Sequence, residues 1–134
     1  MFSAPRAGCG AAVVVDGRML LVQRNRAPEP GHWGLPGGKI DLFETAAAAT
    51  EREVMEELGI AIVADTLLCF VDQIDRDAGS HWVAPVFLVR DFQGTPVNRE
   101  PEKHAAVAWF ALDALPQALT TPTRVALAAL RARD

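Results

Sequence analysis

Apolar residues fall in short runs divided by polar breaks, with helical spacing in two stretches. Residues 11–15 are small or β-branched and predict a buried strand. Asp16-Gly17 follows, a common hairpin turn pair, and residues 19–22 return as a second strand. Residues 24–31 form a polar loop broken by Pro28 and Pro30. Residues 33–38 (WGLPGG) are rich in backbone-shaping types. Residues 45–58 predict a helix, with Ala46 to Ala49 as helix formers and Ala47, Val54 and Leu58 as an apolar stripe. Thr45 or a neighbour would cap its start, and Gly59 sits where a helix-ending glycine belongs.

Residues 60–74 are strand-rich, with Leu67, Leu68, Phe70 and Val71 as core candidates. Residues 75–80 make a polar turn, and residues 82–89 another strand, where Pro85 argues for an edge or a bulge. Residues 93–104 form a long polar loop and residues 105–110 a short strand. Residues 112–115 predict one helical turn ended by Pro116. Residues 121–133 predict a terminal helix, with Thr121 as cap and Pro122 at its first position. The expected fold is a mixed sheet with about two helices, an α/β layered domain. No repeat, low-complexity tract or linker divides it, so residues 1–134 are expected to form one domain.

Half of the 134 residues are hydrophobic, enough for a core without disulfide or metal staples. The net charge of -4 and the lack of a basic stripe argue against a nucleic-acid polymer as partner. Cys9 and Cys69 do not form a CxxC and read as small buried hydrophobes in a reducing compartment. No apolar run nears the ~18 residues of a membrane span, and residues 1–10 lack a signal peptide's apolar core. A cytoplasmic protein with no membrane partner is expected.

The chemistry concentrates in the first helix. At ~100° per residue, Glu53, Glu56 and Glu57 share one face. Each like-charge pair costs a few tenths of a kcal/mol even when exposed. Taken alone, such an acidic run is most often a solvated face. A hard dication offers an offset, because magnesium prefers carboxylate, water and phosphate oxygens. Metal-bridged phosphates become better electrophiles, and a metal-bound water a better nucleophile.

The surroundings carry a much sharper signal. Gly38, Glu44, Arg52, Glu53, Val54, Glu56, Glu57, Gly59 and Ile60 match GX5EX7REUXEEXGU at every fixed position, U being a bulky aliphatic. At roughly 5–7% per residue type, a chance match in so short a chain is on the order of one in ten million. The segment resembles the Nudix box, over residues 38–60. The lead-in from Gly31 to Gly37, and Glu100-Pro101-Glu102-Lys103 before Trp109-Phe110, are similar to MutT-like nucleotide hydrolases.

The resemblance implies a Nudix fold, an α/β/α sandwich around a mixed sheet. It implies that Glu53, Glu56 and Glu57 ligate metal, with Mg2+ expected and Mn2+ as a substitute. Glu53 would orient or deprotonate the attacking water, Arg52 would hold a catalytic carboxylate, and Glu44 would support that arrangement. The Gly37 carbonyl is a further candidate ligand. Glu102 is the late-loop acid expected at the metal, with Glu100 competing. The family often has glycine where this chain has Phe43, a residue that disfavours positive φ, so the loop is expected to differ locally.

Arg24 and Lys39 are candidate phosphate contacts, while Arg26 reads as surface. Trp33 and Trp82 are candidates for stacking on a base. His32, His81 and His104 lack partners at ligand spacing and read as non-catalytic, with His81 the best placed to line a pocket. The expected reaction is hydrolysis of a diphosphate linkage in a nucleoside diphosphate joined to X. The first choice is a (deoxy)nucleoside triphosphate giving the monophosphate and pyrophosphate. ADP-ribose and other nucleotide conjugates are the alternative. A nucleotide-sensing binding module is the non-enzyme alternative, though such a module would be expected to lose box acids. A homodimer is a reasonable expectation, since homodimers are common.

Overall fold

A computed structural model describes residues 1–133. In chain order the elements are β1 (Arg6–Val15), β2 (Arg18–Arg24), β3 (Trp33–Gly34), β4 (Gly37–Lys39), α1 (Ala46–Leu58), β5 (Leu67–Asp75), β6 (Ser80–Val89), β7 (His104–Ala111) and α2 (Thr121–Arg133). β1 and β2 meet through Asp16 and Gly17, both at positive φ (52° and 73°), which suits the twist of a two-residue hairpin. β1 runs parallel to β6, and every other pair is antiparallel. The sheet order is β3-β2-β1-β6-β5, with β4 added to β1 and β7 to β2.

Side chains on a strand alternate between faces, and here both faces are covered. Ala12, Val14, Met19 and Leu21 pack with Ala126, Leu127 and Leu130 of α2. Ala11, Val13, Leu20 and Val22 pack with Val54 and Leu58 of α1. One hairpin thus supplies both cores, and the fold is the expected α/β/α sandwich around a mixed sheet.

Local chemistry sets the helix ends. Thr45 accepts a hydrogen bond from the Ala48 N–H at 3.1 Å, and Gly59 ends α1 in the left-handed conformation (φ 70°). The buried face of α1 runs through Ala49, Thr50, Val54 and Leu58, whereas Ala47 of the expected stripe is only half-buried. The Thr50 hydroxyl is satisfied by donating to the Ala46 carbonyl at 2.8 Å. α2 spans the expected residues 121–133, but its cap differs. Thr120 takes the cap position, accepting from the Thr123 N–H at 3.4 Å, so Pro122 is the second helical residue.

Several expectations need correction. Val71 is buried, but Leu67 and Phe70 are exposed, because β5 is the edge strand and part of its outer face lacks a covering helix. Residues 60–66 form no strand beyond a bridge from Ala61 to Gln93. Pro85 is not at an edge, since β6 lies between β1 and β5. Its missing N–H is tolerated where the β1 ladder is interrupted, between Ala7 opposite Val83 and Gly10 opposite Val86. Residues 112–115 make a turn rather than a helical one, with Leu112 and Leu115 against the core.

Phe43 adopts the positive φ (68°) that a phenylalanine disfavours, with its ring 97% exposed. The loop therefore keeps a glycine-like backbone. A left-handed residue costs roughly 1–2 kcal/mol, and no packing offsets it. Phe43→Gly is expected to stabilise the fold by about 0.5–1 kcal/mol after the larger unfolded-state entropy of glycine is subtracted. A urea denaturation midpoint unchanged or lowered in the variant would contradict this.

Candidate active site

α1 carries its carboxylates at different depths. The Glu53 side chain is 14% exposed, Glu56 49% and Glu57 6%. Arg52 gathers the nearby acids. Its Nε and Nη2 donate to Glu44 at 2.7 and 2.9 Å, a planar two-point contact. Its Nη1 donates to Glu53 at 2.9 Å and to Glu56 at 3.3 Å. Nη2 also reaches the Lys39 carbonyl at 3.1 Å and lies 3.4 Å from Asp41. Arg52 holds Glu44 well below the ordinary carboxylate range, at about 2, and is itself raised by these partners. Glu53 is raised: burial is the main cause, Arg52 opposes it, and the charges of Glu57 and Glu56 push the same way as burial.

Glu57 turns inward. Its Oε1 accepts from the Gly37 N–H at 2.8 Å, and its Oε2 lies 3.1 Å from His104 Nε2. A carboxylate can only accept, so Nε2 carries the hydrogen. His104 therefore holds Glu57 in place, a positioning contact beside its expected non-catalytic reading. It reaches Glu57 because β7 begins at residue 104, and no spacing in the sequence announces that contact. Repulsion among the acids is thus relieved partly by Arg52 and His104, and not only by a dication.

The donor set fits a divalent cation. Asp41, Glu44, Glu53 and Glu56 surround the one guanidinium of Arg52, and Glu57 follows Glu56 on α1. Glu100 pairs with Lys103 through Oε2 at 3.2 Å, while its Oε1 is buried without a partner. The Arg99 N–H donates to the Glu57 carbonyl at 2.9 Å, which brings this loop against the end of α1. Glu102 is exposed, whereas its competitor Glu100 has the buried, unpartnered oxygen. A Cβ at Gly38 would collide with the Glu53 carboxyl, and one at Gly37 with the Cys9 carbonyl. Only glycines leave that space open. Among the described residues no three such side chains form a closed ligand set, since Arg52 holds Glu53 and Glu56.

A cavity of about 230 Å³ adjoins the cluster, with Gly37, Gly38 and Lys39 at that end. Gly8, Gly10, Leu35, Ala84 and Val86 line its apolar walls, and Trp82, Gln73 and Glu29 line it further on. Of the four predicted substrate contacts, Arg24, Lys39 and Trp82 are at the cavity. Trp33 is not. Its indole packs edge-to-face on Phe110, 4.8 Å between centroids, within the α2-side core. Arg24 donates through Nε to the Pro28 carbonyl at 2.7 Å and through Nη2 to the Ala27 carbonyl at 3.0 Å. It first of all fastens the loop beside the cavity. Cys9 also lines the cavity, and burial raises its thiol.

The comparisons agree with this geometry. The family model described as NUDIX domain matches residues 4–130. The MutT NUDIX hydrolase of Burkholderia pseudomallei is 58% identical, with a TM-score of 0.93 over 96% of this chain and 99% of that one. The ADP-ribose pyrophosphatase of Methanocaldococcus jannaschii is 33% identical over 112 residues, 79% of this chain and 65% of the relative. A MutT-like protein of Streptomyces ambofaciens is 36% identical over 104 residues, 78% of this chain and 62% of the relative. The chain thus spans less than two-thirds of the length of these two relatives. With Glu53, Glu56 and Glu57 of the box on one helix near a cavity, and a family model matching nearly the whole chain, this protein belongs to the Nudix family.

Proposed function

We propose that the protein hydrolyses the diphosphate linkage of a nucleotide, with a (deoxy)nucleoside triphosphate as substrate and the monophosphate and pyrophosphate as products. The observation that carries this reading is the cavity whose glycine end lies against the Glu53 and Glu57 carboxylates. A nucleoside in the cavity would direct its phosphates at the acids. An acidic site can take an anion only if a cation lies between them, and Mg2+ is the cation proposed, with Mn2+ as a substitute. Glu53, Glu56 and Glu57 would hold it, joined by the Gly37 carbonyl and Glu100. When bound, it would neutralise phosphate charge as the attacked phosphorus gains electron density.

The residues of this chain divide the remaining work. Glu53 accepts the proton of the attacking water. Arg52 fixes Glu53 and Glu44 in orientation. His104 and the Gly37 N–H fix Glu57. Lys39, exposed at the rim, contacts phosphate. One relative sharpens the alternative: at 33% identity it is named an ADP-ribose pyrophosphatase, so nucleotide conjugates are the second reading. A cytoplasmic location belongs to this proposal, and no helix among the described residues is long and apolar enough to cross a membrane.

The test is turnover of a panel of nucleoside triphosphates, ADP-ribose and other conjugates with magnesium, with product identification. Monophosphate plus pyrophosphate from triphosphates supports the first reading. Binding without turnover across the panel would leave a sensor. Magnesium titration is expected to raise the melting temperature saturably, by the equivalent of about 2.7 kcal/mol at a hundred times its Kd. An unchanged melting temperature at high magnesium contradicts the metal site.

A further inference from the structure

The far end of the cavity carries a second polar constellation. Glu29 Oε1 accepts from Gln73 Nε2 at 2.8 Å and from the Thr121 N–H at 3.0 Å. Its Oε2 takes only longer contacts, 3.2 Å from the Thr121 N–H and 3.4 Å from the Thr121 hydroxyl, with Arg124 at 3.8 Å. The carboxylate sits at the start of α2, where the helix dipole favours negative charge. Because a carboxylate only accepts, the amide atom of Gln73 facing it must be nitrogen. The orientation of the amide is thereby fixed, leaving Oε1 and the second Nε2 N–H of Gln73 for a ligand. Glu29 and Gln73 both line the cavity with Trp82.

We propose that Gln73, held by Glu29, reads the base and selects nucleotides whose base carries an amino group. This rests on the reading of the cavity as a nucleotide site. The constellation presents two acceptors, Gln73 Oε1 and the weakly engaged Glu29 Oε2, against one donor, the second Nε2 N–H of Gln73. An amino group on adenine, cytosine or guanine has two N–H bonds, enough for both. Uracil and thymine offer one ring N–H between two carbonyls, so pairing it with Gln73 Oε1 satisfies only one acceptor and sets a carbonyl oxygen beside the Glu29 carboxylate. At about 230 Å³ the cavity falls below the roughly 300–1,000 Å³ of drug-sized pockets, which suits one nucleoside rather than two. Arg24 cannot swing across to reverse the pattern, because two loop carbonyls hold it.

The experiment is calorimetric binding of CMP, AMP, GMP, UMP and dTMP, with magnesium, to the full chain. Wild type is expected to bind the three amino-bearing nucleotides about 10- to 100-fold more tightly than UMP and dTMP. In Gln73→Leu, which removes the acceptor and keeps much of the volume, the gap is expected to shrink to about twofold. Gln73→Met is the second variant should leucine unsettle β5. Three outcomes each overturn the proposal: equal binding of all five by wild type, no binding of any, or a preference that survives both substitutions. Binding needs no turnover, so a protein that prefers amino-bearing nucleotides yet releases no product from triphosphates loses the hydrolase reading and keeps this one.

Discussion

Glu53→Gln is expected to lower turnover on the order of 10³-fold while the protein stays folded. The substitution keeps the shape of the side chain and removes its charge. Glutamine cannot take the proton of an attacking water. It also weakens the ligand set beside Gly38, where the absence of a Cβ lets the side chain fit. Stability is expected to hold or rise slightly, because burial and the charges of Glu57 and Glu56 all oppose ionisation of Glu53. The Arg52 contact at 2.9 Å loses a charge, which limits any gain. Three readouts separate this from simple damage: kcat falls far more than KM changes, the melting temperature holds, and the magnesium-dependent shift shrinks. Turnover within tenfold of wild type sinks the assignment.

His104→Ala is expected to cost about 3 kcal/mol, or roughly 10 °C in melting temperature. The pair it breaks is deep, with side chains 5% and 6% exposed. Removing the imidazole leaves Glu57 with the Gly37 N–H as its remaining side-chain partner and opens a void at the start of β7. A buried carboxylate stripped of one partner loses stability out of proportion to the net strength of the bond. His104→Gln, which can restore a donor, is expected to recover part of the loss. Urea denaturation with and without magnesium reads it. A cost below about 1 kcal/mol would mean that the His104 contact contributes little.

The box was legible because its chemistry is local. Positions 53, 56 and 57 follow from helix period alone, and capping by Thr45 and Gly59 follows from residue type. The two-faced core was legible in the first hairpin, where every residue from Ala11 to Val14 is apolar. What could not be read depends on distant chain. His104 meets Glu57 across an element boundary, and Glu29 meets Thr121 and Gln73 from a loop far away in sequence. Phe70 misleads because hydrophobicity does not reveal that β5 lies at the edge. Arg24 reaches the cavity as expected, but with part of its donor set already used. Its charge suggested phosphate, but two carbonyls four or fewer residues on take two of its donors.

Glu29 joins the loop after β2 to the opening residue of α2, and Pro122 closes the same wall. Synthesis runs from the amino end, so a nascent chain that has emitted all seven strands still lacks that wall. The acids of α1 are in place well before the recess they serve. Ligand capture therefore comes after the sheet in the growing polypeptide, and a ribosome-stalled chain ending before residue 120 would carry the sheet without the grip.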